Sequence, residues 1–346
     1  MTDQNLFEQQ AANRRRSTWL TIGFVLFFAW VGFGGDLGFY LATRDAEPGQ
    51  YRHLVPIIGL VATAFAGGIA WFSWKLGASQ VLKAAGAWEL VEPATAEQKR
   101  LVNVVEEMSI ACGLAKPRIW IIPDPDPNAF ATGQGPNSAH VAVTEGLLAA
   151  LSRDELQGVV AHEMAHVRNF DIRLMTLLAG MVGAIALLSD GMRNFLRFGG
   201  RGSVGGGGGV GGGGGSRKKG GNPLALVVLV LWLVTLILAP LISRLLAMGV
   251  SRKREYLADA TGAQFTRNPM ALASALEKLE GATAATRSIT RGAAHLCIVD
   301  PSERRFSQRE GWVGEVFASH PPMTQRIIRL KGMAYQFEKQ GLGVGA

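Results

Sequence analysis

Four long runs of apolar residues constrain this chain more than any other feature, covering residues 17–34, 54–74, 174–189 and 224–248. A backbone inside hydrocarbon must satisfy its own hydrogen bonds, so such runs are restricted to helices. Three are long enough to cross a bilayer. The run 174–189, at 1.5 Å per residue, reaches roughly 24 Å against a hydrocarbon core of roughly 30 Å, so it reads either as a span or as a re-entrant helix. With 48% hydrophobic and 18% charged residues, the 346-residue chain has the balance of a membrane protein.

Charge gives the runs a direction. Arg14, Arg15 and Arg16 precede the first run, and Trp71, Trp74 and Lys75 close the second. The segment between them, with Asp36, Arg44, Asp45, Glu47 and Arg52, is poor in positive charge. The positive-inside rule then places the N-terminus and the chain after Trp74 in the cytoplasm, and the first run reads as a retained signal-anchor. The net charge of +8 flanks apolar segments and does not interleave with aromatics on one face, which argues against a nucleic-acid partner. Cys112 and Cys297 stand too far apart for a metal-type spacing, so neither a disulfide framework nor a thiolate zinc site is expected.

Charges and helical periodicity return over 76–171. Apolar positions over 97–111 repeat at helical spacing and stop at Gly113, a C-terminal cap. Residues 118–122 and 140–144 read as extended, 145–150 as a helix, and Ser152 with Glu155 three residues on as the start of another helix. Residues 199–221, glycine-rich with Arg201, Arg217, Lys218 and Lys219, read as a linker, with no Gly-Lys-Ser/Thr to mark a phosphate loop. If both later runs span, this linker and its basic residues lie outside, against the positive-inside expectation. Residues 251–346 are again soluble and mostly helical.

The chemistry lies in His162, Glu163, Met164, Ala165 and His166, an H-E-x-x-H sequence among apolar residues (Leu156, Val159, Val160, Met164, Val167) at helical intervals. Residues four apart on a helix share a face, so both imidazoles can close on one ion at roughly 2.0–2.1 Å. Glu163 is the candidate base, placed to take a proton from water and return it to a leaving amine. A catalytic zinc needs a third protein ligand, and Glu255, at the start of a helix after the fourth run, is the best candidate. Asp259 lies on the same face, where it can orient a histidine; Asp171 reads equally as an exposed acid or as another such partner.

The sequence resembles the HtpX-type integral-membrane zinc peptidases of the gluzincin group, relatives of the CAAX prenyl proteases. The segments that carry the likeness are Asn128 to Gly133, His162 to His166 with Asp171, Glu255 to Asp259, and Ser319, His320, Pro321 and Pro322 followed by Arg326. The resemblance implies one Zn2+ per chain, Glu255 as third ligand, and His320 as a group that stabilises the oxyanion. It also implies cleavage of misfolded or surplus membrane proteins in envelope quality control. Gluzincin-like enzymes hold substrate as an added strand, and either 128–133 or 140–144 is a candidate for that edge. His53, His140 and His295 read as ordinary.

The resulting expectation is a mainly α membrane protein with a small β-sheet, four apolar segments and a cytoplasmic gluzincin-like zinc-protease domain. The pieces are an N-terminal tail with two transmembrane helices (1–75), a first protease part (76–173), an apolar hairpin (174–250) and a second protease part (251–346). Its partners are peptide or membrane-protein substrates and the lipid bilayer. A zinc-bearing scaffold has no need of Glu163, and a transporter is disfavoured because no apolar run carries buried charge.

Overall fold

The computed structural model describes residues 6–43, 50–181, 230–232, 234–235, 252–282, 288, 296–299, 321–339 and 341. Within these, the chain is mainly helical with one four-stranded mixed sheet. His320, the glycine-rich linker 199–221 and most of the two later apolar runs lie outside the described residues; of the third run, residues 174–181 are helical.

Among the described residues, two helices are long and apolar enough to cross a membrane: α1 (Leu6–Thr43), over Gln10–Leu41, and α2 (Ile57–Ala84). Both outrun the apolar stretches that announce them. Asp36, expected in the connecting segment, instead sits inside α1 and is buried. Its carboxylate accepts from the backbone N–H groups of Ile58 and Gly59, at 3.1 and 2.6 Å, and from His53 Nε2 at 2.6 Å. The first two are orphan donors of the α2 N-terminus, so Asp36 caps α2 from a different helix, and the helix carrying it continues past the Gly34–Gly35 pair. His53 is therefore not ordinary: it is buried, with Tyr51 Oη 2.8 Å from its Nδ1.

Cα proximity divides the chain into two compact units: 1–21 with 71–180 and 245–346, and 22–70 with 181–244. The first contains the sheet, ordered β1 (Trp88–Glu89), β2 (Arg118–Ile122), β4 (Ala139–Thr144) and β3 (Ala129–Gly133). β2 and β4 are parallel, from Arg118 opposite His140 to Ile122 opposite Thr144; β1 and β3 pair antiparallel at the two edges. Side chains of a strand alternate between faces. Ile119, Ile121, Val141 and Val143 meet α3 (Ala96–Cys112), α5 (Arg153–Arg168) and α7 (Pro269–Glu280) in the main core, whereas Ile122, Phe130 and Ala142 meet Val81, Leu82 and Met175 on the other side.

Local signals set the helix ends. Thr95 with Gln98, and Ser152 with Glu155, form reciprocal capping boxes on α3 and α5, and Gly113 closes α3 in the left-handed region at φ 65°. A short helix α4 (Glu145–Ala150) leads from β4 into α5. Helix α5 is buried nearly all round, from Glu155 to Val167, which marks it as the central helix. Against it packs α6 (Arg252–Thr266), and α8 (Met323–Lys339) closes over α6 and α7. At the crossing of α5 and α6, a Cβ on Gly262 would stand 3.0 Å from the backbone nitrogen of His162, so only glycine lets the two backbones approach this closely.

Candidate metal centre

The two histidines of α5 project from one face of the central helix, and α6 brings Glu255 and Asp259, one turn apart, onto the same point. His162, His166 and Glu255 each present a ligand atom within 4.8 Å of the others, and all three are buried. The two Nε2 atoms lie 3.2 Å apart. Glu255 Oε1 is 3.5 Å from His166 Nε2, and its Oε2 is 3.6 Å from His162 Nε2. Ligands spaced tetrahedrally at roughly 2.0–2.1 Å from zinc stand roughly 3.3 Å from one another, so the separations suit that ion.

The outer nitrogens are held by carboxylates. His162 Nδ1 is 3.0 Å from Asp259 Oδ1, and His166 Nδ1 is 3.1 Å from Asp171 Oδ2. A proton on Nδ1 leaves the Nε2 lone pair facing the centre, the tautomer that a metal requires. Asp171 is fully buried, which decides between its two sequence readings in favour of a partner to a histidine. The carboxyl groups of Glu163, Asp171, Glu255 and Asp259 and the guanidiniums of Arg254 and Arg326 are all buried around this centre. Burial alone disfavours a charged His162 ring, but Asp259 and Glu255 outweigh it and push its pKa up to about 9. The nest attracts positive charge, whether proton or metal.

Arg326 is the largest fully buried side chain among the described residues. Its Nε and Nη2 grip Asp259 at 2.8 and 2.7 Å, and its Nη1 donates to the carbonyl oxygen of Ile298 at 3.1 Å and lies 3.4 Å from Glu255 Oε2. Burial opposes the Arg326 charge, yet Asp259 beside it holds the group more firmly protonated than usual; burial also raises Asp259, but Arg326 and His162 depress it below the ordinary carboxylate range. The guanidinium therefore fixes the carboxylate that fixes His162. Arg326 figured in the sequence only as a motif residue without a role.

Glu163 lies beside this cluster, 2% exposed. Burial, the largest influence, raises its pKa against the lowering pull of the two imidazoles and of the Ala131 backbone N–H, which donates to it. That donor belongs to β3, an edge strand, whereas β4 is enclosed between β2 and β3. Of the two segments that are candidates for a substrate edge, only 129–133 stands at an edge of the sheet. The Ala129 carbonyl on this edge already accepts from Ile298 N–H at 2.9 Å. His140 is an ordinary structural histidine, accepting from Trp120 Nε1 at 3.0 Å. Arg254 and Asn13, both reaching Asp171, went unseen in the sequence; for Asn13 no local signal exists, because its partner lies 158 residues away.

A buried pair of imidazoles and a carboxylate around one point, with an acid beside them, define a zinc metallopeptidase. Comparison with known proteins makes this specific: the chain belongs to peptidase family M48, whose profile matches residues 95–334. Its relatives are protease HtpX homologues. That of Tropheryma whipplei (strain Twist) is 44% identical over 241 residues, 70% of this chain and 75% of that protein. Those of Streptococcus pneumoniae (strain Hungary19A-6) and Caldanaerobacter subterraneus subsp. tengcongensis are 38% and 37% identical, over 95% and 96% of this chain and 100% and 99% of theirs. The crystal structure of S. mikatae Ste24p is similar at 19% identity and a TM-score of 0.43, covering 90% of this chain and 66% of that one, a likeness too loose to carry an argument.

Proposed function

We propose that this zinc metallopeptidase is an endopeptidase of membrane-protein quality control, cutting misfolded or surplus membrane proteins where they emerge from the bilayer on the cytoplasmic side. The observation that carries the reading is the buried Glu163 carboxylate between the cluster of ligand atoms and the edge strand β3. His162, His166 and Glu255 hold the metal, with Asp259 and Asp171 fixing the two rings. The chemistry zinc supplies when bound is Lewis acidity, which polarises a carbonyl and makes water acidic near neutral pH. Glu163 accepts the proton of the attacking water and returns it to the leaving amine. A substrate strand adds along β3, its scissile bond over the cluster. His320, carried over from the family likeness, stabilises the negative charge that develops on the carbonyl oxygen.

In this reading all four apolar segments belong to the membrane part, and 76–173 and 251–346 form one protease domain interrupted by the hairpin 174–250. His166 precedes Leu174 by only eight residues, with the turn at Asn169 and Phe170 between them, so the site lies close along the chain to the start of that run. A site so close to the bilayer favours tethered chains. With purified protein in vesicles, a transmembrane substrate with a cytoplasmic cleavage segment is expected to be cut faster than the same segment free in solution, and a chelator is expected to stop both reactions. Equal rates for tethered and free segments would contradict the membrane role.

A further inference from the structure

The family profile begins at residue 95, yet the carboxylate behind His166 is reached from residue 13. Asn13 lies on the first turns of α1, in the compact unit that holds the site, and is only 5% exposed. Its Nδ2 donates twice, to the Asn169 carbonyl at 2.9 Å and to Asp171 Oδ1 at 2.8 Å. The same helix face continues these contacts: Gln10 Nε2 donates to the Arg168 carbonyl at 2.9 Å, and the Arg14 guanidinium stands 4.2 Å from the centre of the Phe170 ring. Three successive contact residues at helical spacing thus grip 168–171, the turn that follows α5.

That turn needs holding. Phe170 adopts φ 59°, the left-handed region that a bulky residue rarely enters. The reversal is what returns Asp171 to His166, five residues back along the chain. Once there, Asp171 uses Oδ2 toward His166 Nδ1 at 3.1 Å and Oδ1 toward Asn13 and, at 3.5 Å, toward Arg254 Nη1, which neighbours the ligand Glu255 on α6.

We infer that Asn13 is a positioning residue of the zinc site: its amide fixes Asp171 so that the carboxylate orients His166, making the N-terminal helix part of the metal-binding framework. The inference rests on the zinc-site reading above. An amide suits the task because it donates to the carboxylate while carrying no charge that would compete with the ring for it.

The test uses the full-length detergent-purified protein and its zinc dissociation constant, measured by competition with a chromophoric chelator, in the wild type, Asn13→Ala, Asp171→Asn and the double variant. Asn13→Ala is expected to weaken zinc about tenfold, at the low end of the range for partners of ligating histidines, and to add less than twofold in the Asp171→Asn background, because the two act in series. Asn13→Asp, nearly isosteric, keeps the packing but sets a second carboxylate against Asp171, and is expected to weaken zinc further. A residue that merely seated the helix would lower the melting temperature in both backgrounds and leave the zinc constant unmoved. Zinc affinity of Asn13→Ala within twofold of wild type, or the same loss in both backgrounds, would overturn the inference alone. A wild type that held no zinc would overturn the zinc site and this inference together.

Discussion

Glu155 illustrates how much one side chain contributes to positioning the site without touching it. Its carboxylate closes the capping box of α5 and accepts from Ser152 N–H, Ser274 Oγ and Lys278 Nζ, each at 2.7 Å, so it ties the metal-bearing helix to α7. Burial raises its pKa, but the Lys278 and Ser274 hydrogen bonds overcome this and bring it down to about 2 from an ordinary 4.5. A depressed folded-state pKa means stability that is present above the unfolded value and lost as pH falls through the folded one. Solvent around the half-exposed Lys278 screens the pair, which leaves a contribution on the order of 1–2 kcal/mol at neutral pH. Glu155→Gln is therefore expected to lower the thermal midpoint at pH 7, and the difference from wild type is expected to shrink between pH 4.5 and the acid limit. A difference independent of pH would contradict the assignment. The site residues divide by how their partners are encoded. His162, His166, Glu255 and Asp259 were legible because helical spacing places each pair on one face. The contacts of Asn13, Arg254 and Arg326 were not, because they join segments that only the fold brings together.

At the scale of elements, the crossing of α5 and α6 assembles the ligand set. Glu255, Asp259 and Gly262 follow one another at four and three residues along α6, a single stripe that meets α5 at His162. Gly262→Val places a branched side chain where even a Cβ would lie 3.0 Å from backbone nitrogen and 3.2 Å from the Ala161 carbonyl carbon. Neither atom can yield without moving the helix. Overpacking of this kind costs about 1–3 kcal/mol. Here it also withdraws Glu255 from the two imidazoles, so zinc retained after dialysis against a weak chelator is expected to fall at least about tenfold while α3 and the sheet remain folded. Wild-type zinc retention would show that the close crossing is not what sets the ligand geometry. The Ser152 capping box, β2, β4 and the Gly113 terminus were readable from local sequence because their determinants are local, whereas β1 and the Thr95 capping box were not read. The full lengths of α1 and α2 were not: an acid at position 36 reads as a break unless one knows that it caps a neighbouring helix. The edge position of β3 is likewise a property of sheet order, which a five-residue segment does not carry.

Over the whole molecule, the ligands come from segments on either side of a long intervening stretch, His162 and His166 from α5 and Glu255 from α6, so the site exists only in the assembled fold. The central claim is that this assembled centre is a zinc peptidase in which Glu163 moves the proton, and buried acids elsewhere in the unit serve to orient and balance charge. Glu163 is not among the ligand atoms, so the claim separates binding from turnover. The decisive measurement is zinc content together with peptide-bond cleavage in purified Glu163→Gln. The Glu163→Gln protein is expected to hold about one zinc per chain, as in wild type, with turnover reduced by several orders of magnitude, beyond the 10²–10⁴-fold typical of proton transfer alone only if the base also holds the water. Cleavage near the wild-type rate, or loss of the zinc itself, would contradict it.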